Sequence, residues 1–205
     1  MKQSRIAMSA AAGAALLTAC AYSGAAQESD APSLRPAMIM DSGEGDAIAF
    51  PLHPTTRLAA AEQTDSGLSL FEIVIPSQSA GAPPHRHTHE DEFFYVREGS
   101  ITFMADDLER TISPGGFVLL PRGGWHAMWN NGDADAILLV GTSDGQFDDF
   151  FDAVALEAAQ AGQLSPPEIG AIVGRVGAER GIIVDMTKVP EAARPLYGLP
   201  PLNQN

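Results

Sequence analysis

Residues 85–99 read H-R-H-T-H-E-D-E-F-F-Y-V-R-E-G, and residues 115–130 read G-G-F-V-L-L-P-R-G-G-W-H-A-M-W-N. His85 and His87 are two apart, so on an extended strand their side chains share one face. A polar segment, Thr88-His89-Glu90-Asp91, suits a turn into the next strand. There Glu92, Phe94 and Val96 share a face, which sets one carboxylate among apolar neighbours. His126 follows one hairpin later, with Met128 and Asn130 on its face. Three imidazoles and one carboxylate turned toward a barrel interior are a credible site for one divalent transition metal ion. The donor set admits Fe, Mn, Ni, Cu or Zn and does not choose among them. Four protein ligands in an octahedral shell leave positions open for a small molecule.

Short apolar runs separated by turn residues extend outward from this centre. Strands are expected at Ala47–Leu52, Leu68–Ile75, Phe93–Val96, Ser100–Met104, Gly116–Leu120 and Ala136–Val140. Asp65-Ser66-Gly67, Ser113-Pro114-Gly115-Gly116 and Asn130-Asn131-Gly132-Asp133 punctuate them, so the pattern argues for an all-β sandwich or barrel over residues 46–142. After Ser143 the period lengthens. Phe147, Phe150, Phe151 and Val154 recur at helical spacing, with Ser143 or Asp144 as N-cap. A second helix is expected from Pro166 to about Val176, capped by Ser165. Residues 143–205 thus form a helical extension whose phenylalanines pack on the barrel, followed by a tail that either wraps the domain or hangs loose.

The N-terminus carries a different signal. Lys2 and Arg5 precede a short apolar run, Ile6 to Leu17, too short to span a bilayer. Leu17-Thr18-Ala19-Cys20 follows and resembles a bacterial lipobox, which implies lipidation of Cys20, the single cysteine. Residues 1–19 then read as a lipoprotein-type signal peptide and residues 20–45 as a flexible tether. Ordinary cleavage near Ser23 to Ala26, giving a soluble periplasmic protein, is the alternative. With 12 Lys+Arg against 26 Asp+Glu, the formal charge is −14. That excess repels phosphate backbones, so nucleic acid is not an expected partner, and membrane contact is expected only through the anchor. Without a twin-arginine pair, the chain is expected to cross unfolded and take its metal outside the cytoplasm, where copper and zinc compete with manganese and iron.

Residues 85–99 resemble the first cupin motif, with His85, His87, Glu92 and Gly99 in place. Residues 115–130 resemble the second, with Gly115, Pro121, Gly123, His126 and Asn130 in place. Ser79 stands where the first motif usually has a glycine, a departure that concerns a turn and leaves the ligands intact. Within cupins the chain looks like the small single-barrel, quercetin-dioxygenase-like group. It shares Pro83-Pro84-His85, the acidic-aromatic run Glu90 to Val96, Pro121-Arg122-Gly123 and the Phe-rich helix after the last strand.

The resemblance implies a jelly-roll-like cupin β-barrel with a short C-terminal helical extension. It implies His85, His87, Glu92 and His126 as metal ligands, and Glu92 also as the base toward an acidic substrate hydroxyl. The implied activity is dioxygenase-type cleavage of a small phenolic or enolic molecule. A non-catalytic metal- or ligand-binding module and a redox-neutral isomerase or lyase stand as alternatives, as does a homodimer formed through outer strands.

Phe94 and Met128 are expected to line the substrate pocket, whereas Trp125 and Trp129 alternate to the opposite face and should pack outside. His89, in the turn, is expected to be exposed or to support a ligand. His53, beside Pro54, reads as a surface histidine.

Overall fold

A computed structural model describes residues 35–143 and 147–202. The expected signal peptide, Cys20 and the tether up to residue 34 lie outside the described residues. Residues 35–45 carry neither helix nor strand and are mostly exposed. No helix among the described residues is long and apolar enough to cross a membrane.

Twelve strands among the described residues pair antiparallel. They are β1 (Asp46–Ile48), β2 (Thr55–Ala59), β3 (Ser69–Ile75), β4 (Ser79–Ala80), β5 (His85–His87), β6 (Glu92–Glu98), β7 (Ile101–Ala105), β8 (Leu108–Ile112), β9 (Phe117–Leu120), β10 (His126–Asn130), β11 (Ala136–Thr142) and β12 (Ile182–Val184). One sheet runs β1-β2-β3-β11-β6-β9, the other β12-β5-β10-β7-β8, with β4 also on β10. This is the expected jelly-roll arrangement, with α1 (Phe150–Ala161) and α2 (Pro166–Glu179) added after β11.

The period-2 pattern explains the core. Phe71, Ile73 and Ile75 of β3, Phe94 and Val96 of β6, and Leu138 and Val140 of β11 are all buried and face Ile101, Phe103 and Met128 of the opposite sheet. Gly99 ends β6 at φ +67, where a side chain would strike the Asp135 carbonyl. Asn130 closes the turn after β10 by donating to the Ile75 and Ala134 carbonyls and accepting from Gly132 N–H.

Several expectations need correction. The first strand stops at Ile48, and four strands, β2, β4, β8 and β12, had not been expected. β8 is mostly exposed along its length, so no buried face marks its sequence. β12 belongs to the barrel although it lies inside the expected 143–205 extension; it pairs with β5 through Ile182↔His87 and Val184↔His85. α1 starts after Asp149, beyond the expected caps. Ser143 is already engaged, since its N–H donates to Asp91 O and its Oγ accepts from Asp91 N–H, both at 3.0 Å. Asp144 lies outside the described residues. α2 begins at Pro166 with Ser165 as its N-cap, as expected; Ser165 N–H and Oγ both donate to Glu168, and the helix runs on to Glu179.

Trp129 points to the outer face as expected but is fully buried there. The C-terminal tail wraps the domain: Val189 and Ala193, with Leu196, Tyr197 and Leu199, form a second apolar cluster over Met104, Ala127 and Trp129. Tyr197 Oη reaches the Ala82 and Met128 carbonyls at 2.8 and 2.9 Å. Trp125 is half-buried between Arg86 and Lys188, each about 5 Å from its ring centre.

Trp129→Ala should cost about 3–5 kcal/mol in denaturant unfolding. Combined with Val189→Ala, the double mutant should cost less than the two losses added, because both empty one contact. Full additivity would mean that the tail does not hold this strand.

Candidate metal centre

Each ligand candidate is aimed by its own short stretch of chain. Pro83-Pro84 fix the backbone entering β5 as extended, so His85 and His87 both turn inward. Gly123, at φ +85, makes the turn that delivers His126 to the start of β10. The register then sets His126 directly opposite His85. Glu92 opens β6 and faces inward.

The four side chains meet in one buried spot, none more than 6% exposed. One donor atom from each lies within 4.8 Å of all the others. His126 Nε2 is 3.0 Å from both His85 Nε2 and Glu92 Oε2, and His87 Nε2 is 3.6 Å from the same carboxylate oxygen.

The outward-facing nitrogens decide what this cluster can hold. His85 Nδ1 lies 2.7 Å from Pro83 O, His126 Nδ1 lies 3.1 Å from Gly124 O, and His87 Nδ1 lies 3.2 Å from the buried carboxylate of Glu90. Oxygen acceptors on all three Nδ1 atoms place the protons there, which leaves three Nε2 lone pairs converging on a fourth donor, Glu92. Among the described residues, the buried His87 Nε2 has no hydrogen-bond partner. A dry cluster of lone pairs is stable only around positive charge, and neutral imidazoles with one carboxylate suit a divalent transition metal. The residues fit such an ion.

The electrostatics agree. Burial pulls the His85 imidazole down to about 3, and positive charge at His126 adds to the shift. Burial also disfavours charge on His87, but Glu92 and Glu90 outweigh it and push His87 up to about 9. Burial raises Glu92, yet His87 and His126 overcome it and hold the carboxyl well below the usual range. A proton on His87 therefore balances Glu92 when no metal is bound. A metal taking the same lone pair must displace that proton, so acid opposes metal uptake.

A cavity opens onto the centre. His85 and Glu92 form part of its wall, with Phe94 and Met128 beside them. Phe147, Phe150 and Phe151 close one side; Phe147 also packs its ring 5.3 Å from His87. Val173 of α2 and Ile182 and Val184 of β12 complete the wall, so the extension shapes the cavity as well as covering the barrel.

His89 is exposed and stands outside the cluster. His53 needs correction: it is half-buried, lines the cavity and lies 4.9 Å from the Phe50 ring. Its sequence surroundings carried no signal of this. Glu90, fully buried behind His87, was also missed as a ligand support; an acid three residues after a histidine in a turn was the available clue.

Residues 71–141 match the family model described as "Cupin domain". The match runs from β3 to β11, takes in all four ligand candidates and supports the cupin superfamily. Comparison with curated proteins returned no match. Among solved structures, KdgF from a Halomonas species is 19% identical with a TM-score of 0.45, over 52% of this chain and 94% of its own. A cupin-superfamily sugar phosphate isomerase from Silicibacter pomeroyi is 21% identical with a TM-score of 0.46, over 53% and 77%. The polyketide cyclase RemF from Streptomyces resistomycificus is 22% identical with a TM-score of 0.44, over 53% and 80%.

His87→Ala should lower metal content per chain sharply in plasma mass spectrometry, whereas His89→Ala should leave it unchanged. Equal losses would overturn the ligand assignment.

Proposed function

We propose that the chain is a mononuclear metal-dependent oxidoreductase of the dioxygenase type, acting on a small phenolic or enolic molecule. The observation that carries this reading is the apolar cavity in which two of the four donors, His85 and Glu92, form part of the wall. Neither Lys nor Arg lines that cavity among the described residues. A phosphorylated or multiply charged substrate would lose its hydration there with no counter-ion beyond the metal itself. An uncharged, largely apolar ring bearing an acidic hydroxyl keeps its apolar part against Phe94, Met128 and the phenylalanines, and turns its oxygen to the donors.

His85, His87, Glu92 and His126 would hold the ion. Once bound, it would polarise a substrate oxygen and, if redox-active, give electrons a route to O2. Glu92 is held ionised and is the one carboxylate on the cavity wall among the described residues, so it would accept the substrate's hydroxyl proton. Its low proton affinity makes that transfer depend on an acidic hydroxyl, which suits phenols and enols over aliphatic alcohols. Glu90 fixes the His87 ring, and the Phe147–Phe150–Phe151 cluster keeps water from the reacting face.

Oxygen uptake by metal-loaded protein with a flavonol such as quercetin tests the reading. Uptake in step with substrate loss, and its disappearance in His85→Ala/His126→Ala, is the expected result. Substrate conversion without oxygen uptake would transfer the site to isomerase or lyase chemistry. A rise in melting temperature with no conversion would mark a binding module.

We also propose that the protein is held to the bacterial envelope, facing the periplasm, through lipidated Cys20. Cys20→Ser should move it from the membrane to the soluble fraction. Retention in the membrane with the signal cleaved would sink the anchor.

A further inference from the structure

We propose that His53 is a specificity-determining residue of the same cavity, accepting through Nε2 a hydrogen bond from a second hydroxyl on an otherwise apolar substrate. The inference rests on the metal-centre reading above and adds the substrate's second recognition point.

The cavity wall contains three polar side chains among the described residues: His85, Glu92 and His53. The first two belong to the donor cluster. His53 arrives from elsewhere, on the loop between β1 and β2. Its ring lies 4.9 Å from Phe50 and 6.3 Å from Phe151, so two aromatic neighbours hold it in place.

The loop also fixes which nitrogen is left for a ligand. The hydroxyl of buried Thr55 lies 3.2 Å from His53 Nδ1 and 3.2 Å from the His53 carbonyl. That hydroxyl has one proton, and the carbonyl can only accept. The arrangement that satisfies all three groups sends the Thr55 proton to the carbonyl and the Nδ1 proton to Thr55 Oγ1. Nε2 then carries a lone pair and has no protein partner among the described residues. Burial pulls the His53 imidazole down to about 4, so the ring is neutral near pH 7 and the lone pair persists.

An unmet acceptor in an apolar wall favours a ligand that brings a donor and disfavours one that brings only hydrocarbon. The substrate class that follows is an uncharged molecule with a metal-binding enol or phenol oxygen at one end and a hydroxyl at the other.

The test uses zinc-loaded protein, so that ligands bind without redox turnover, and two matched pairs of probes that differ by one distal hydroxyl. Allomaltol with kojic acid gives a short reach; 3-hydroxyflavone with 3,4′-dihydroxyflavone gives a long one. For at least one pair, the hydroxylated member should bind roughly threefold to tenfold tighter by calorimetry. His53→Phe, which keeps a ring between Phe50 and Phe151, should bring that ratio to about one while leaving zinc content nearly unchanged. His53→Gln, which restores an acceptor, should recover part of the ratio. A ratio near one in the unmutated protein for both pairs, or a ratio that survives His53→Phe, overturns the assignment. If no probe binds although zinc is retained, the metal-centre reading of the cavity falls, and this inference with it.

Discussion

Three imidazole lone pairs and a carboxylate turned toward one another inside a hydrocarbon interior repel each other unless positive charge sits among them. Much of the local architecture serves to hold that arrangement. The oxygen acceptors behind each imidazole prevent the rings from rotating to relieve the conflict. The His126↔His85 register prevents the strands from sliding apart. The strand that carries Glu92 is fixed in place, because β6 is paired on both sides, with β11 and β9. Cation affinity is in this sense a way of relieving frustration that the fold itself imposes.

β10 shows how the two halves of the domain depend on each other. All five of its residues are buried, although it lies in a sheet with only one face toward the barrel core. His126 turns into the donor cluster and Met128 lines the cavity, while Ala127 and Trp129 are covered by the C-terminal tail. A strand clamped on both faces has little freedom to shift, and geometry at a metal centre demands that rigidity. The Tyr197 hydroxyl extends the clamp by meeting the backbone of Ala82 and Met128, residues that themselves line the cavity.

The barrel and the ligand set were legible because their signals are short-range. The two-residue spacing of His85 and His87, the alternation through Glu92, Phe94 and Val96, and the capping pair Ser165 and Glu168 all act within a few residues. What escaped depends on contacts made across the fold. Ile182–Val184 has too few residues to show a period, and only its pairing with β5 makes it a strand. His53 looks like a surface histidine beside Pro54 until Phe50 and Phe151 close around it. Trp129 was placed on the correct face, but its burial depends on a tail that begins almost sixty residues later.

The pairing of β12 with β5 also has a temporal meaning. Thr88 and Gly181 are hydrogen-bonded although they stand 93 residues apart, so β5 keeps one side open until the chain beyond α2 is available to fold. Until then, the strand bearing two of the ligand histidines is an open edge able to pair with other chains. The domain therefore cannot mature from its first end to its last. Its metal-binding strand is flanked on both sides only after nearly the whole polypeptide has been made.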